Sequence, residues 1–202
     1  MIRKQQILIA CVILLLGVVL GGCGGASEAA SGSFAGTVAD SDAFFALVSG
    51  GGQIMAYYCD GRADAPLTLE GWFRGEVTGE EVELTNDRGD TLVGLLSEDS
   101  FSGTLTPAGG DAHPVSAAEV SQPAGLYRTD TTIDGETAVG GWIVLPDGQQ
   151  RGNLNVGGAS RGAPALDTST STATTGDGKT LTSKWIDPTP DPVRWTDPEP
   201  QP

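Results

Sequence analysis

The sequence predicts an all-β protein, an antiparallel meander that closes into a barrel or a two-sheet sandwich. Three observations favour this class. Residues 34–130 show no convincing helical periodicity. Instead, short runs rich in Val, Thr, Phe, Tyr and Leu are separated by Gly and Asp. Several of these runs alternate apolar with polar residues, which is typical of strands that have one buried face.

The expected strands follow one another closely along the chain. Glycine-rich or Asn/Asp-rich turns such as Asn86-Asp87-Arg88-Gly89 separate them, and such residues tolerate positive φ or close a turn with a side chain. Because these links are short, sequential strands should be antiparallel neighbours. The predicted strands are 34–38, 43–49, 54–59, 71–77, 82–85, 91–96, 101–106, 115–120, 125–129, 139–145 and 150–156.

Two of these strands lack the alternation, because both faces of 54–59 and of 139–145 are apolar or aromatic. Such strands lie centrally in a sheet or are covered by another segment. We expect the cover to come from residues 163–186, which fit a hairpin of 170–175 and 179–186 around Gly176-Asp177-Gly178. In this hairpin Leu181, Ser183 and Trp185 would share one face. The Thr/Ser-rich composition is also compatible with disorder.

The N-terminus carries the features of an export signal. Arg3 and Lys4 precede an apolar run at residues 7–20, which is too short for a membrane-spanning helix and fits a signal-peptide core. The sequence Leu20-Gly21-Gly22-Cys23 follows and resembles a bacterial lipobox. This resemblance implies cleavage between Gly22 and Cys23 and a diacylglycerol group on the Cys23 thiol.

These features predict four regions. Residues 1–22 are a lipoprotein signal peptide, and residues 23–33 hold the acylated cysteine and a flexible Gly/Ala/Ser linker. Residues 34–187 are the β domain, in which 157–187 contain the C-terminal hairpin. Residues 188–202 are a Pro-rich tail expected to be extended and mobile. With Cys11 removed and Cys23 acylated, Cys59 remains alone, so no internal disulfide is expected.

The charge balance limits the classes of partner. The chain has 11 Lys and Arg against 26 Asp and Glu, a formal net charge of −15. Nucleic acid is therefore excluded as a partner, because phosphate binding needs a positive surface. We expect contact with the membrane only through the lipid, on the extracytoplasmic face of the cell membrane, or of the outer membrane in a host with two membranes. A protein or glycan partner stays open, and no cofactor is expected.

The motifs for catalysis are incomplete. Gly158-Ala159-Ser160-Arg161-Gly162 matches the nucleophile elbow of esterases, but no helix pattern follows it, and His113 is the only histidine. One histidine and one free cysteine cannot fill a zinc shell. The remaining candidates are oxygen ligands for Ca²⁺ in predicted turns, and solvated turn carboxylates are the simpler interpretation. These candidates are Asn86, Asp87, Asp90, Asp130, Asp134 and Glu136.

The sequence therefore predicts a membrane-anchored lipoprotein whose β domain is a non-catalytic binding or interaction module. Two alternatives stay open. A pair of carboxylates in a cleft would suit a hydrolase of cell-envelope polymers. A Ca²⁺-stabilised adhesion domain would use the turn that contains Arg88-Gly89-Asp90. Runs near residues 54–61, 125–128 and 140–152 weakly resemble exported domains of high-GC bacteria, and this resemblance implies no activity.

Overall fold

A computed structural model describes residues 29–189 of the chain, and they form sixteen β-strands and no helix. Accordingly, this part of the chain offers no helix with the length and hydrophobicity needed to cross a membrane. The strands are β1 (Gly32–Val38), β2 (Phe44–Gly50), β3 (Gln53–Cys59), β4 (Glu70–Glu76), β5 (Glu81–Thr85), β6 (Thr91–Leu96), β7 (Ser100–Thr106), β8 (His113–Val120), β9 (Gly125–Ile133), β10 (Glu136–Val144), β11 (Gln150–Val156), β12 (Ala159–Gly162), β13 (Leu166–Asp167), β14 (Thr172–Thr174), β15 (Thr180–Thr182) and β16 (Lys184–Trp185).

The predicted all-β class is confirmed, and the first eleven strands follow in the predicted order. Their ends lie close to the predicted ones except at the β9–β10 hairpin, where both strands extend to a two-residue turn. Asp134 and Gly135 make this turn with positive φ of 53° and 88°. Most residues of the extension are polar, so no regular apolar alternation marked it in the sequence. At the N-terminus β1 begins at Gly32, inside the predicted linker.

The first eight strands form one antiparallel sheet in the order β4-β3-β2-β1-β8-β7-β6-β5. Pairing of β1 with β8 curls this meander into a nearly closed barrel. Within residues 29–189 no ladder joins β4 to β5, and we call this gap the seam. An isolated bridge between Thr78 and Glu81 crosses the seam at one end. At the other end the Asn86 side-chain amide donates a hydrogen bond of 3.2 Å to the Trp72 carbonyl.

Apolar side chains fill the inside of the barrel. The rings of Phe45 and Phe101 stack across it with their centroids 5.3 Å apart. The predicted alternation is confirmed on β5, where Val82 and Leu84 point inward between exposed glutamates. The other large inward side chains are Phe34, Leu47, Ile54, Tyr58, Phe73, Leu92, Leu96 and Leu105. The barrel is therefore packed with its own side chains.

A second sheet, β12-β11-β10-β9-β16, covers the outer side of β2, β3 and β4. Leu126 and Ile143 of this sheet pack on Met55, Tyr57 and Trp72 of the barrel wall. The sheet and the wall come so close that a Cβ on Gly141 would lie 2.6 Å from the Trp72 ring. This contact explains why both faces of β3 are apolar, since one face lines the barrel and the other meets the second sheet.

A third sheet, β13-β14-β15, covers the far side of the second sheet. Leu166, Ala173 and Leu181 pack on Trp142 and Leu154. The predicted cover over strand 139–145 is thus present, while strand 54–59 is covered by the second sheet instead. The predicted long hairpin arm 179–186 is interrupted. β15 ends at Thr182, and Lys184–Trp185 leaves to pair with β9.

Candidate functional site

Two of the predicted functional positions, Gly22 and Cys23, lie outside the described residues. The calcium candidates lie within them, in two separate places. Asn86, Asp87 and Asp90 belong to the β5–β6 turn, and Asp130, Asp134 and Glu136 belong to the β9–β10 hairpin.

The β5–β6 turn holds a buried carboxylate, that of Asp90, which is only 4% exposed. Its Oδ2 atom accepts hydrogen bonds from the Tyr58 hydroxyl at 2.8 Å and from the Asn86 amide at 2.7 Å. Its Oδ1 atom accepts the backbone N–H of Ala108 at 2.8 Å. Because protein donors already occupy both oxygens, this carboxylate is poorly placed to coordinate Ca²⁺. Asp87, in contrast, is exposed.

Arg88 completes this arrangement, and we call Tyr58, Glu70, Asn86, Arg88 and Asp90 the seam cluster. Arg88 Nη2 lies 2.9 Å from Asp90 Oδ2 and also donates to the Glu70 carbonyl. Arg88 Nη1 lies 3.3 Å from Glu70 Oε1. The guanidinium therefore binds a group on each side of the seam, one on β4 and one in the β5–β6 turn. A side chain at Gly71 would collide with it, because a Cβ there would lie 2.3 Å from Nη2.

The pKa values of the cluster follow from burial and from these bonds. Burial alone would raise the pKa of Asp90, but the Ala108 N–H, Asn86, Tyr58 and the Arg88 charge together hold it below its ordinary value. Burial raises the pKa of Glu70, and the nearby Arg88 only partly offsets that effect. Burial, followed by the hydrogen bond to Asp90, raises the pKa of Tyr58. Asp90 is therefore ionised, and Tyr58 is protonated, at neutral pH.

The seam cluster is better suited to holding β4 and the β5–β6 turn together than to catalysing a reaction. The two carboxylates contact the same guanidinium, so Arg88 occupies the space that a scissile bond and water would need between them. The Arg88-Gly89-Asp90 tripeptide is also poorly displayed for adhesion, because Arg88 binds the buried Asp90 within it. The chemistry of the cluster is that of a satisfied ion pair that closes a barrel.

The second group of calcium candidates does not converge on one point. Asp130 accepts two hydrogen bonds of 2.8 Å from Arg128. Asp134 forms an ion pair with Lys179, which lies in the turn between β14 and β15. Glu136 is exposed beside Gly157. Among residues 29–189 no three His, Cys, Asp or Glu side chains come together as a metal site.

Arg128 carries a buried charge and was not among the candidate residues predicted from the sequence. It is 5% exposed, and its guanidinium carbon lies 4.9 Å from the centre of the Trp72 ring. A small cavity of about 180 Å³ beside it is lined in part by Met55, Asp130 and Trp185. The spacing of Arg128 and Asp130, two apart on one strand face, was the available signal for their pairing. The contact of Arg128 with Trp72 depends on sheet packing that the sequence does not reveal.

The surroundings of Cys59, Ser160 and the large aromatic side chains are those of structural residues. Cys59 is buried with a free thiol, and burial raises its pKa to about 12. The aromatic side chains of Trp72, Trp142, Tyr57 and Tyr58 are all buried in the core. Ser160, the serine of the Gly-x-Ser-x-Gly match, lies exposed on the short strand β12 and binds Asn155.

Residues 29–189 thus form a barrel whose seam is bridged by the seam cluster. A second sheet packs on the barrel wall, and a third sheet packs on the far side of the second. Comparisons of the chain with protein-family models, with curated proteins and with solved structures each found no match.

Proposed function

We propose that this protein is a lipid-anchored extracytoplasmic lipoprotein whose β domain is a non-catalytic interaction module. The observation that carries the anchoring is the N-terminal sequence. Two basic residues, an apolar run at 7–20 and then Leu20-Gly21-Gly22-Cys23 form the order that a lipoprotein signal requires. Two or more acyl chains on Cys23 would hold the protein stably on a membrane.

The spacing between Cys23 and the first strand supports this geometry. Residues 24–31 separate the cysteine from β1, which begins at Gly32. Ala29 is already buried in the barrel core, so only residues 24–28 set the reach, and at about 3.3–3.6 Å per extended residue these five span at most about 18 Å. Their Gly, Ala and Ser composition is typical of flexible coil. The domain would therefore stay within a few nanometres of the membrane without entering it.

The negative charge of the protein supports a position in which the domain does not contact the membrane surface. An acidic protein is repelled by anionic headgroups, so the lipid is the expected point of attachment. The non-catalytic assignment is supported by how the buried charges are used. Asp90 and Glu70 share Arg88, and Asp130 binds the buried Arg128, so all three carboxylates are engaged in ion pairs. The interaction assignment is supported by the exposed apolar side chains of Val93 and Leu95 on the wall of a filled barrel.

The anchoring half of this proposal is tested by phase partition in Triton X-114 together with labelling by radioactive palmitate in a bacterial host. The parent should enter the detergent phase and take up label. Cys23→Ser should remain in the aqueous phase without label, because it lacks the acceptor thiol. Cys11→Ser is the matched control, since Cys11 lies in the segment that cleavage removes. It should behave like the parent, and label on Cys23→Ser would refute the proposal.

A further inference from the structure

Among residues 29–189, the outer wall of the barrel is covered on one side only. The second sheet packs on the outer side of β2–β4, whereas β5, β6 and β7 present outward side chains to solvent. Val93 and Leu95 on β6 are 51% and 56% exposed, and they are the exposed large hydrophobic side chains of the described residues. They lie two residues apart on one strand and therefore point the same way.

The strand register surrounds these two side chains with polar ones. Val93 lies directly between Glu83 of β5 and Thr104 of β7. Leu95 lies between Glu81 and Ser102 in the same manner. The Cβ atoms of residues directly opposite in a strand pair are about 5 Å apart, so Val93 lies beside Glu83 and Leu95 lies beside Glu81. We call this surface the β5–β7 face, and it consists of Glu81, Glu83, Val93, Leu95, Ser102 and Thr104.

The part of the chain around this face is strongly acidic. Residues 76–120 hold a single Lys or Arg, Arg88, whose guanidinium is already bound by Glu70 and Asp90. No basic side chain of this region is therefore left to neutralise the face. The carboxylates of the region are Glu76, Glu80, Glu81, Glu83, Asp87, Asp90, Glu98, Asp99, Asp111 and Glu119.

We infer that the β5–β7 face binds a partner protein whose contact surface has apolar side chains surrounded by Lys and Arg. This inference rests on the proposed function and names the class of partner that the module takes. The glutamates select Lys and Arg on the partner, and Val93 and Leu95 supply apolar area removed from water on contact. A second copy of this face is disfavoured, since its glutamates would meet the same charges. Anionic lipid is disfavoured for the same reason.

The size of the face sets the kind of binding. Two partly exposed apolar side chains and a row of glutamates form a small patch, which suits a weak and reversible complex. Exposed charge pairs are screened by salt, so the complex should weaken as ionic strength rises. The apolar pair should contribute in a way that salt does not remove. Together, the salt-dependent part of binding and the salt-independent part distinguish specific binding at the β5–β7 face from general attraction of cations to an acidic protein.

The test uses the mature lipidated protein in detergent and a fluorescent heptapeptide of alternating lysine and valine. Binding is followed by fluorescence anisotropy at about 25 mM and about 300 mM salt. Val93→Ser/Leu95→Ser should raise the dissociation constant by about fivefold or more, because it removes the apolar contact. Glu81→Gln/Glu83→Gln should weaken binding and flatten its salt dependence. All four positions are exposed, so the variants should fold.

The matched control is Asp134→Asn/Glu136→Gln, which removes two exposed carboxylates from the β9–β10 hairpin. It should leave the dissociation constant within about twofold of the parent, as expected for distant exposed charges. The inference is overturned if the control weakens binding as much as the Glu81/Glu83 pair. Unchanged binding by the Val93/Leu95 variant, or no binding by the parent, overturns it as well. Cys23→Ser should still bind the peptide, so failure of the anchor and failure of the face are distinguishable.

Discussion

At the scale of single residues, the buried Asp90 carboxylate decides how the barrel closes. It collects donors from β3, from its own turn and from the loop after β7, namely Tyr58, Asn86 and Ala108. The sequence places Asp90 correctly in a turn, because Asn, Asp and Gly are turn residues. Its burial could not be predicted, since Tyr58 is 32 residues away and meets it only once the barrel has curled.

Asp90→Asn is expected to lower the free energy of unfolding at pH 7 by roughly 1–3 kcal/mol, because it leaves buried donors without their charged acceptor. The pKa of Asp90 is depressed in the folded state. Its stabilisation is therefore complete above the ordinary carboxyl pKa of about 4 and is lost as the pH falls through the lower folded pKa. Urea unfolding at pH 7 and at about pH 3 should show the gap between parent and variant narrowing in acid.

Asp87→Asn provides the control for this prediction, since Asp87 is the exposed carboxylate of the same turn. It should change stability by no more than about 0.5 kcal/mol at either pH. Equal effects of the two substitutions would show that Asp90 has no special role in closing the seam.

At the scale of elements, the long strands and the hairpin of β14 and β15 could be predicted, whereas β12, β13 and β16 could not. β5 shows one exposed and one buried face, and its sequence alternates accordingly. β13 and β16 have two residues each, which is too short for any periodicity. Their positions are set by the sheets that they join, as when Lys184–Trp185 pairs with Arg128 and Tyr127 of β9. The order of the three sheets likewise depends on packing.

Gly141→Ala tests the contact between the barrel wall and the second sheet. The added methyl would lie 2.6 Å from the Trp72 ring and 3.0 Å from the Tyr57 ring, both of which are buried. Overpacking of this kind typically costs about 1–3 kcal/mol, so the melting temperature should fall and the near-ultraviolet circular dichroism should change. Gly176→Ala is the matched control, because nothing lies within 4 Å of a Cβ there. A melting temperature for Gly141→Ala equal to that of Gly176→Ala would contradict the close packing.

At the scale of the whole molecule, the described residues form three layers: a filled barrel, a sheet against its wall, and a small sheet outside that. Within residues 29–189 the second sheet covers only one side of the barrel, and the side formed by β5, β6 and β7 is exposed and acidic. A lipid at Cys23 would place this asymmetric domain close to a membrane. The proposed function joins these two features, an anchor before the domain and a free face on it.

The most direct test of the anchoring claim is the mass of the N-terminal peptide of the protein purified from bacterial membranes. If the protein is anchored as proposed, the chain begins at Cys23 and carries the mass of a diacylglycerol group on that residue. A chain that retains Met1 or another residue before Cys23, or that carries an unmodified Cys23 thiol, would contradict it.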